Sequence, residues 1–256
     1  MNSRNNWHNS VSTWEQFELD KVGSFSNLAK STEHRKKGLE LLNTLNQYGF
    51  SHKNSWLGVP IIRLPEDILF QQELIAFEKP DLIIEIGIAR GGGLLFNASI
   101  QEMCGINPDV IGIDNKVYPH TIKAISESRY SDHIQILEGN STEMEVLDSL
   151  TPMTANSSKI LLVLDSDHSS SNVLNELELY VPILPVGSII IICDTIIDEL
   201  PAGTYPNRTW SDGRGPRHGL EMFMERSKSL ILYKQTEVRS LVLSEIRDGV
   251  LKKVVQ

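Results

Sequence analysis

One stretch constrains this chain more than any other: Asp81-Leu82-Ile83-Ile84-Glu85-Ile86-Gly87-Ile88-Ala89-Arg90-Gly91-Gly92-Gly93. An apolar run from Leu82 to Ile86, broken only by Glu85, stops at a glycine cluster. Beyond it Leu94, Leu95, Ala98 and Met103 recur at roughly helical spacing. The pattern predicts a buried parallel strand, a tight turn and the start of a helix. Glycine at such a corner lets the backbone turn sharply and lets a ligand approach without meeting a Cβ. The free N–H groups of a helix start suit polar or anionic groups of a nucleotide-like ligand. Glu85 is the odd residue, because a carboxylate at the end of a buried strand needs a partner.

The spacing Gly-x-x-x-Gly-x-Gly differs from the dinucleotide fingerprint Gly-x-Gly-x-x-Gly and looks like the first motif of S-adenosylmethionine-dependent methyltransferases. The competing reading is a strand-to-helix corner that holds nothing. Val110-Ile111-Gly112-Ile113-Asp114 is a second short apolar strand ending in an acid, somewhat beyond the roughly 20-residue offset of dinucleotide folds. An acid there can accept two hydrogen bonds from ribose hydroxyls.

The alternation continues. A helix is predicted over Pro119 to Ser128, a strand over Ile134 to Leu137, and a helix carrying Met144, Val146, Leu147 and Leu150. Ile160 to Leu164 reads as a strand ending in Asp165-Ser166-Asp167-His168. A helix with Val173, Leu174, Leu177, Val181 and Leu184 inward then leads to the strand Ser188 to Cys193, which ends in Asp194-Thr195. Strands alternating with helices indicate a parallel sheet with right-handed crossovers. Late in the chain Leu230 to Tyr233 and Ser240 to Leu243 read as strands, with a turn at Asp248-Gly249 and Val250-Leu251 beyond it.

Upstream, residues to about Thr32 are polar, with Trp14, Phe17 and Leu19 as apolar anchors and a weak helix over Ser12 to Lys21. Residues 33 to 48 form a firmer helix, with Leu39, Leu42 and Leu45 on one side. Asn54 to Asp67 reads as a packed loop, either covering the sheet edge or walling the mouth of a site. A helix from Asp67 follows, with Leu69, Phe70, Leu74 and Phe77 on one side. The division expected is a helical N-terminal extension over 1–53 and one α/β domain over 54–256. At 256 residues the chain can bury a proper core.

A formal net charge of -9 argues against general nucleic-acid binding. The runs His34-Arg35-Lys36-Lys37 and Lys252-Lys253 are read as solvated surface. Cys104 and Cys193 lack metal or redox spacing and read as small apolar residues in a reducing compartment. The polar N-terminus lacks a signal-peptide stretch, and no apolar run is long enough to span a bilayer, so a cytoplasmic protein without membrane partners is expected.

In an open α/β sheet, ligands sit outside the carboxyl ends of the strands. Four predicted strands end in acids: Glu85, Asp114, the Asp165/Asp167 pair and Asp194. Acids gathered on one rim are costly unless they bind something. If their strands are neighbours, Asp165, Asp167, His168 and Asp194 form an oxygen-rich site suited to a hard divalent cation such as Mg²⁺. Alternatively Asp167 or Ser169 caps the next helix. His168 is open to three roles: ligand, general base or packing. Arg90 either neutralises a ligand carboxylate or pairs with a neighbouring acid. The long loop Tyr205 to Gly219 offers Trp210, Arg208, Arg214 and His218 as contacts for an acceptor, or simply closes over the fold.

Taken together, Trp56-Leu57-Gly58-Val59-Pro60, Asp67 with Gln72-Glu73, Lys79 to Gly87, Ala89-Arg90-Gly91-Gly92, Ile111 to Asp114, Leu164 to His168, Glu176 to Tyr180, Cys193 to Ile196 and Leu200-Pro201 resemble the cephalosporin hydroxylase family, which also contains the rhamnosyl O-methyltransferases. The likeness spans about residues 54 to 220. It implies a Rossmann-like class I methyltransferase fold, a mainly parallel sheet with an antiparallel C-terminal edge, binding S-adenosylmethionine and, in some members, a divalent metal. It also implies methyl transfer to a hydroxyl of a sugar or other small molecule. Carried onto this sequence, Glu85, Gly87 and Gly91 hold the methionine part of the cofactor, Ala89, Arg90 and Gly92 also touch the cofactor, and Asp114 holds the ribose. Asn140 and Ser141 lie near the adenine, and Asp165 touches cofactor and metal. Asp165, Asp194 and Thr195 would ligate Mg²⁺, His168 or Asp165 would take the proton, and Trp210, Arg214 and His218 would meet the acceptor. Two rivals stand beside this reading: an oxygenase, and a binding module that keeps the pocket without catalysis. Self-association through the helical lead-in is a further expectation.

Overall fold

The computed structural model describes residues 13–201, 203–208, 210, 214–233 and 241–255. Two helices lead in, α1 (Trp14–Ala29) and α2 (Thr32–Asn46), followed by a short hairpin of β1 (Asn54–Trp56) and β2 (Val59–Ile61) and by α3 (Pro65–Glu78). The main alternation then runs β3 (Leu82–Ile86), α4 (Gly92–Met103), β4 (Val110–Asp114), α5 (Pro119–Ser126), β5 (Ile134–Glu138), α6 (Met144–Thr154), β6 (Ile160–Leu164), α7 (Ser170–Tyr180) and β7 (Ile189–Ile192). It closes with α8 (Pro216–Arg226), β8 (Leu230–Leu232) and β9 (Val250–Lys253).

The seven-stranded sheet has the order β5-β4-β3-β6-β7-β9-β8. Strands β3 to β7 pair in parallel, and β9 runs antiparallel to both β7 and β8. Alternate residues of each central strand face opposite layers. Ile83, Leu161, Val163, Ile189 and Ile191 pack under α3, α4 and α5. Leu82, Ile84, Ile86, Leu162, Leu164, Ile190 and Ile192 pack under α6, α7 and α8. Burial on both faces is why these strands read as unbroken apolar runs.

Helix α2 starts where Ser31 accepts a hydrogen bond from His34 N–H. It docks through Leu42 onto Leu64 and Ile196, with Leu39 alongside. Arg35, expected in a solvated run, instead bridges Glu199 and Asp248 at 2.6 Å each. Lys253 likewise departs from the surface reading. It is buried, and its Nζ donates to the carbonyls of Val181 (2.8 Å) and Leu184 (2.7 Å) in the turn after α7.

Other expectations are corrected. Trp14, Phe17 and Leu19 are exposed rather than anchoring, the first two meeting edge to face at 5.8 Å. On α3 the buried face is Asp67, Phe70, Gln71, Leu74, Ile75 and Glu78, while Leu69 and Phe77 look outward. The stretch from Asn54, expected as a loop, forms the β1–β2 hairpin, whose Leu57-Gly58 turn has positive φ at both central residues (50° and 84°). Three-residue strands are too short to leave a periodic signal. The antiparallel edge pair exists, but β8 pairs with β9 rather than with Leu241 to Leu243, which are not a strand; Ser240 lies outside the described residues, as does Ser12 of the first predicted helix. The segment 241–249 is instead pinned to the start of α3, where Asp67 accepts from Ser244 Oγ and Glu245 N–H.

Candidate functional site

Chain connectivity reverses between β3 and its two neighbours: the chain first steps out to β4 and β5, then crosses back to β6 and β7. A crevice opens beyond the strand tips at such a reversal. Gly87 N–H donates to Ile113 O (2.8 Å), Asp165 N–H to Ile86 O (2.8 Å) and Cys193 N–H to Leu164 O (2.9 Å). The ladder therefore brings Gly87, Asp114, Asp165 and Asp194 to one rim.

Two adjoining cavities occupy it. The first, about 380 Å³, runs from Gly87, Ala89 and Asp114 past Asn140 and Ser141 to Asp165, Ser166 and Asp167, with Arg208 and Trp210 at its mouth. The second, about 470 Å³, shares Gly87, Ala89, Asp165, Ser166, Arg208 and Trp210 with the first and adds His168, Asp194, Arg63, His52, Tyr205 and Glu245. Asp165 stands on the partition.

Asp114 stabilises the corner it faces: its Oδ2 accepts from the N–H groups of Ile88 (3.0 Å) and Ala89 (3.3 Å), and its Oδ1 from Lys116 N–H (3.0 Å). Gly87 takes a left-handed φ of 89°, and any Cβ there would collide with the Asp165 backbone. Gly92 and Gly93 are small for a different reason from the ligand approach expected. A Cβ on Gly92 would strike the Pro60 carbonyl, and one on Gly93 the Glu85 carboxylate. Gly91, at φ 86°, caps α4.

Glu85 does not line either large cavity. Its strand parity, shared with Ile83, turns it toward α4, into a void of about 20 Å³ behind the glycine turn. There its Oε2 accepts from Asn97 Nδ2 (2.7 Å), Asn97 Oδ1 accepts from Gln71 Nε2 (2.6 Å), and Gln71 Oε1 accepts from Arg63. Arg63 returns to within 3.4 Å of Glu85 and 3.7 Å of Asp165. Burial pushes the Glu85 carboxyl up, with Arg63 and Asn97 opposing. The partner that a buried acid demands is thus Arg63, which sequence reasoning passed over. Its signal was a lone charge in the apolar run Val59 to Leu64. Arg90 is exposed and reaches neither large cavity.

Asp165, His168 and Asp194 meet closely enough that one ligand atom from each lies within 4.8 Å of the others. His168 Nε2 is 2.9 Å from Asp194 Oδ2. Burial alone would lower the imidazole, but Asp194 prevails and raises it to about 9. Burial would raise Asp194, and His168 holds it low instead. Burial lifts Asp165 to about 7, Arg63 opposing and Asp194 reinforcing. Two carboxylates and an imidazole are a donor set that fits a divalent cation. Thr195, expected as a further ligand, is turned away: its buried hydroxyl donates to the carbonyls of Arg247 and Glu245. Asp167 lines the first cavity while its Oδ1 caps the approach to α7 by accepting from Ser169 N–H (2.8 Å).

Of the three residues expected to meet an acceptor, Trp210 sits at both cavities, its ring 5.4 Å from His168 and 5.0 Å from the Arg208 guanidinium. Arg214 and His218 line neither cavity, and His218 faces Glu221 on α8. Thr209, Ser211, Asp212 and Gly213 of the same loop lie outside the described residues. Glu176 enters the sequence reading only within the Glu176 to Tyr180 stretch, with no role of its own. It sits fully buried on the inner face of α7 beside Val173, Leu177 and Tyr180, and accepts from Ser141 Oγ and Ser166 Oγ at 2.6 Å each. An acid on an apolar helical face was the available signal. His52, Tyr205 and Glu245 carry no local signal at all.

A parallel sheet reversing at β3, an antiparallel β9 inserted between β7 and the edge strand β8, and a polar crevice over the reversal define the Rossmann-like class I methyltransferase fold. The chain belongs to the Rhamnosyl O-methyltransferase/CmcI family, whose profile matches residues 48–254. It is 28% identical over 151 residues to the rhamnosyl O-methyltransferase of Mycobacterium bovis (strain BCG / Pasteur 1173P2), covering 58% of this chain and 60% of that protein. It is 28% identical over 170 residues to the rhamnosyl O-methyltransferase of Mycobacterium leprae (strain TN), covering 66% and 69%. The chain thus spans less than two thirds of the length of the first of these relatives. Among solved structures, CmcI with Mg and SAM superposes with a TM-score of 0.58 at 19% identity, over 80% of this chain and 78% of that one, a likeness of fold.

Proposed function

We propose that this chain is an S-adenosylmethionine-dependent O-methyltransferase that methylates a hydroxyl of a saccharide, with a divalent cation at Asp165, His168 and Asp194. The observation that carries the reading is the partition at Asp165: a nucleotide-sized crevice and a second cavity meet there, and the carboxylate–imidazole cluster faces the junction. The rhamnosyl O-methyltransferase relatives supply the saccharide class.

Methyl transfer needs the acceptor oxygen in line behind the sulfonium methyl, so orientation does most of the work. In this reading Asp114, Asn140 and Ser141 hold the nucleoside, and Gly87 and Ala89 leave room for the methionine arm at the partition. Trp210 and Arg208 cover the mouth and exclude water from the transfer. A cation held by Asp165, His168 and Asp194 would lower the pKa of the acceptor hydroxyl. Asp165, whose carboxylate has a second oxygen, would then take the proton of that hydroxyl, because a ligating His168 has no lone pair left for it. The cluster holds one imidazole and two carboxylates, the reverse of the two-histidine, one-carboxylate set of non-haem iron oxygenases, which favours transfer over oxygenation.

Calorimetry with S-adenosylmethionine, followed by methylation of rhamnosyl-bearing glycans with and without EDTA, tests this. Binding of the nucleotide, transfer to a sugar hydroxyl, and rates reduced about a hundredfold or more by EDTA, Asp165→Ala or Asp194→Ala are expected. A chain that ignores the nucleotide overturns the reading. Full activity in EDTA and in both variants removes the cation.

A further inference from the structure

The wall of the first cavity around Ser141 and Ser166 has a fixed polarity. Both hydroxyls donate inward, at 2.6 Å, to the same oxygen, Glu176 Oε1. A serine hydroxyl has one proton, so both oxygens present lone pairs alone to the cavity. Asn172 Nδ2 uses one lone pair of Ser166 at 3.2 Å and leaves another. The second oxygen of Glu176 is buried without a hydrogen-bond partner. Whether the carboxyl carries a proton on that second oxygen or none, Oε1 remains the acceptor of both serines, so the polarity of the wall does not depend on its ionisation. Tyr180 donates from below to Ser141 O (2.9 Å), which fixes the loop that carries Ser141.

We infer that Glu176 is a positioning residue that makes this wall an acceptor for the exocyclic amine of adenine, and thereby selects a 6-amino purine over a 6-oxo purine. The inference rests on the proposed S-adenosylmethionine reading and deepens it. Asp114 at the tip of β4 marks the ribose end of the crevice, so the base extends toward the turn after β5, where Ser141 stands. An amine there donates to the serine oxygens. A 6-oxo group sets acceptor against acceptor and leaves buried polar atoms unpaired. Removing Glu176 frees both hydroxyls to rotate and donate, and the discrimination fades.

The test compares the dissociation constants of S-adenosylhomocysteine and S-inosylhomocysteine by calorimetry on the full chain. The unmodified protein prefers the adenosyl compound by about tenfold or more. Glu176→Ala brings the ratio close to one, whereas Glu176→Gln, which keeps an acceptor oxygen, restores most of it. The pair Ser141→Ala and Ser166→Ala, which leaves the helix intact, lowers the ratio as well and serves if Glu176→Ala fails to fold. Tight adenosyl binding with an unchanged ratio in Glu176→Ala, or in the serine variants, overturns the inference alone. Failure of the unmodified protein to bind S-adenosylhomocysteine overturns the parent reading.

Discussion

Arg63 is the single residue on which most of the buried chemistry leans. It is 5% exposed and sits between Glu85 and Asp165 at ion-pair distances of 3.4 and 3.7 Å, its Nη2 making no hydrogen bond to either. Breaking a buried ion pair from one side is far more harmful than removing both partners, because an uncompensated charge stays behind. Arg63→Met should therefore destabilise the fold by about 3–5 kcal/mol. Adding Glu85→Gln in that background should recover part of the loss, measured as a coupling in a double-mutant cycle; strictly additive effects would show that the two do not act as a pair. Gly92 is equally constrained, by backbone rather than charge. Its α4 start abuts the Pro60 carbonyl of β2, so Gly92→Ala should cost about 1–3 kcal/mol through overpacking, read as a lowered denaturant midpoint without a change in slope.

At the scale of elements, α2 is held to the domain by a small apolar contact and a charged one. Leu42 meets Leu64 and Ile196, while Glu199 joins Arg35 and Arg217, each at 2.6 Å. Burial would raise Glu199, but the two guanidinium groups prevail and hold it at about 2. A carboxylate depressed in the fold stabilises fully above its unfolded pKa, about 4.3, and loses that contribution as pH falls from there through about 2. Acid titration of stability should show a decline across that window, and Glu199→Gln should flatten it. An unchanged acid limb in the variant would mean that other carboxylates govern it. Arg35, one charge of a run that reads as solvated in sequence, is thus a fastening for α2, while Lys36 and Lys37 stay on the surface.

For the whole molecule, protection should follow sheet position. β3 and β6 lie centrally, paired on both sides and covered on both faces, whereas the β1–β2 hairpin forms a separate two-stranded sheet and β8 is an edge. Amide hydrogen exchange should be slowest in Leu82–Ile86 and Ile160–Leu164 and much faster in the hairpin and α1. Comparable protection in α1 would contradict this ranking. Among the described residues no helix is long and apolar enough to cross a membrane.

The sequence by itself determined the alternation of β3 to β7 with its helices, the glycine corner after β3 and the acids at four strand tips, because parallel strands buried on both faces read as unbroken apolar runs and helices buried on one face as periodic ones, each within a few residues. Tertiary structure alone decided which acids share a cavity. Pairing of β6 with β7 joined Asp165 and His168 to Asp194, strand parity turned Glu85 away toward Arg63, and Thr195 bonded to the 245–247 carbonyls instead of joining the cluster. It also brought His52, Tyr205 and Glu245 to the second cavity from distant segments. Convergence of residues far apart in the chain is set by sheet order and loop docking, and no local pattern of residues encodes it.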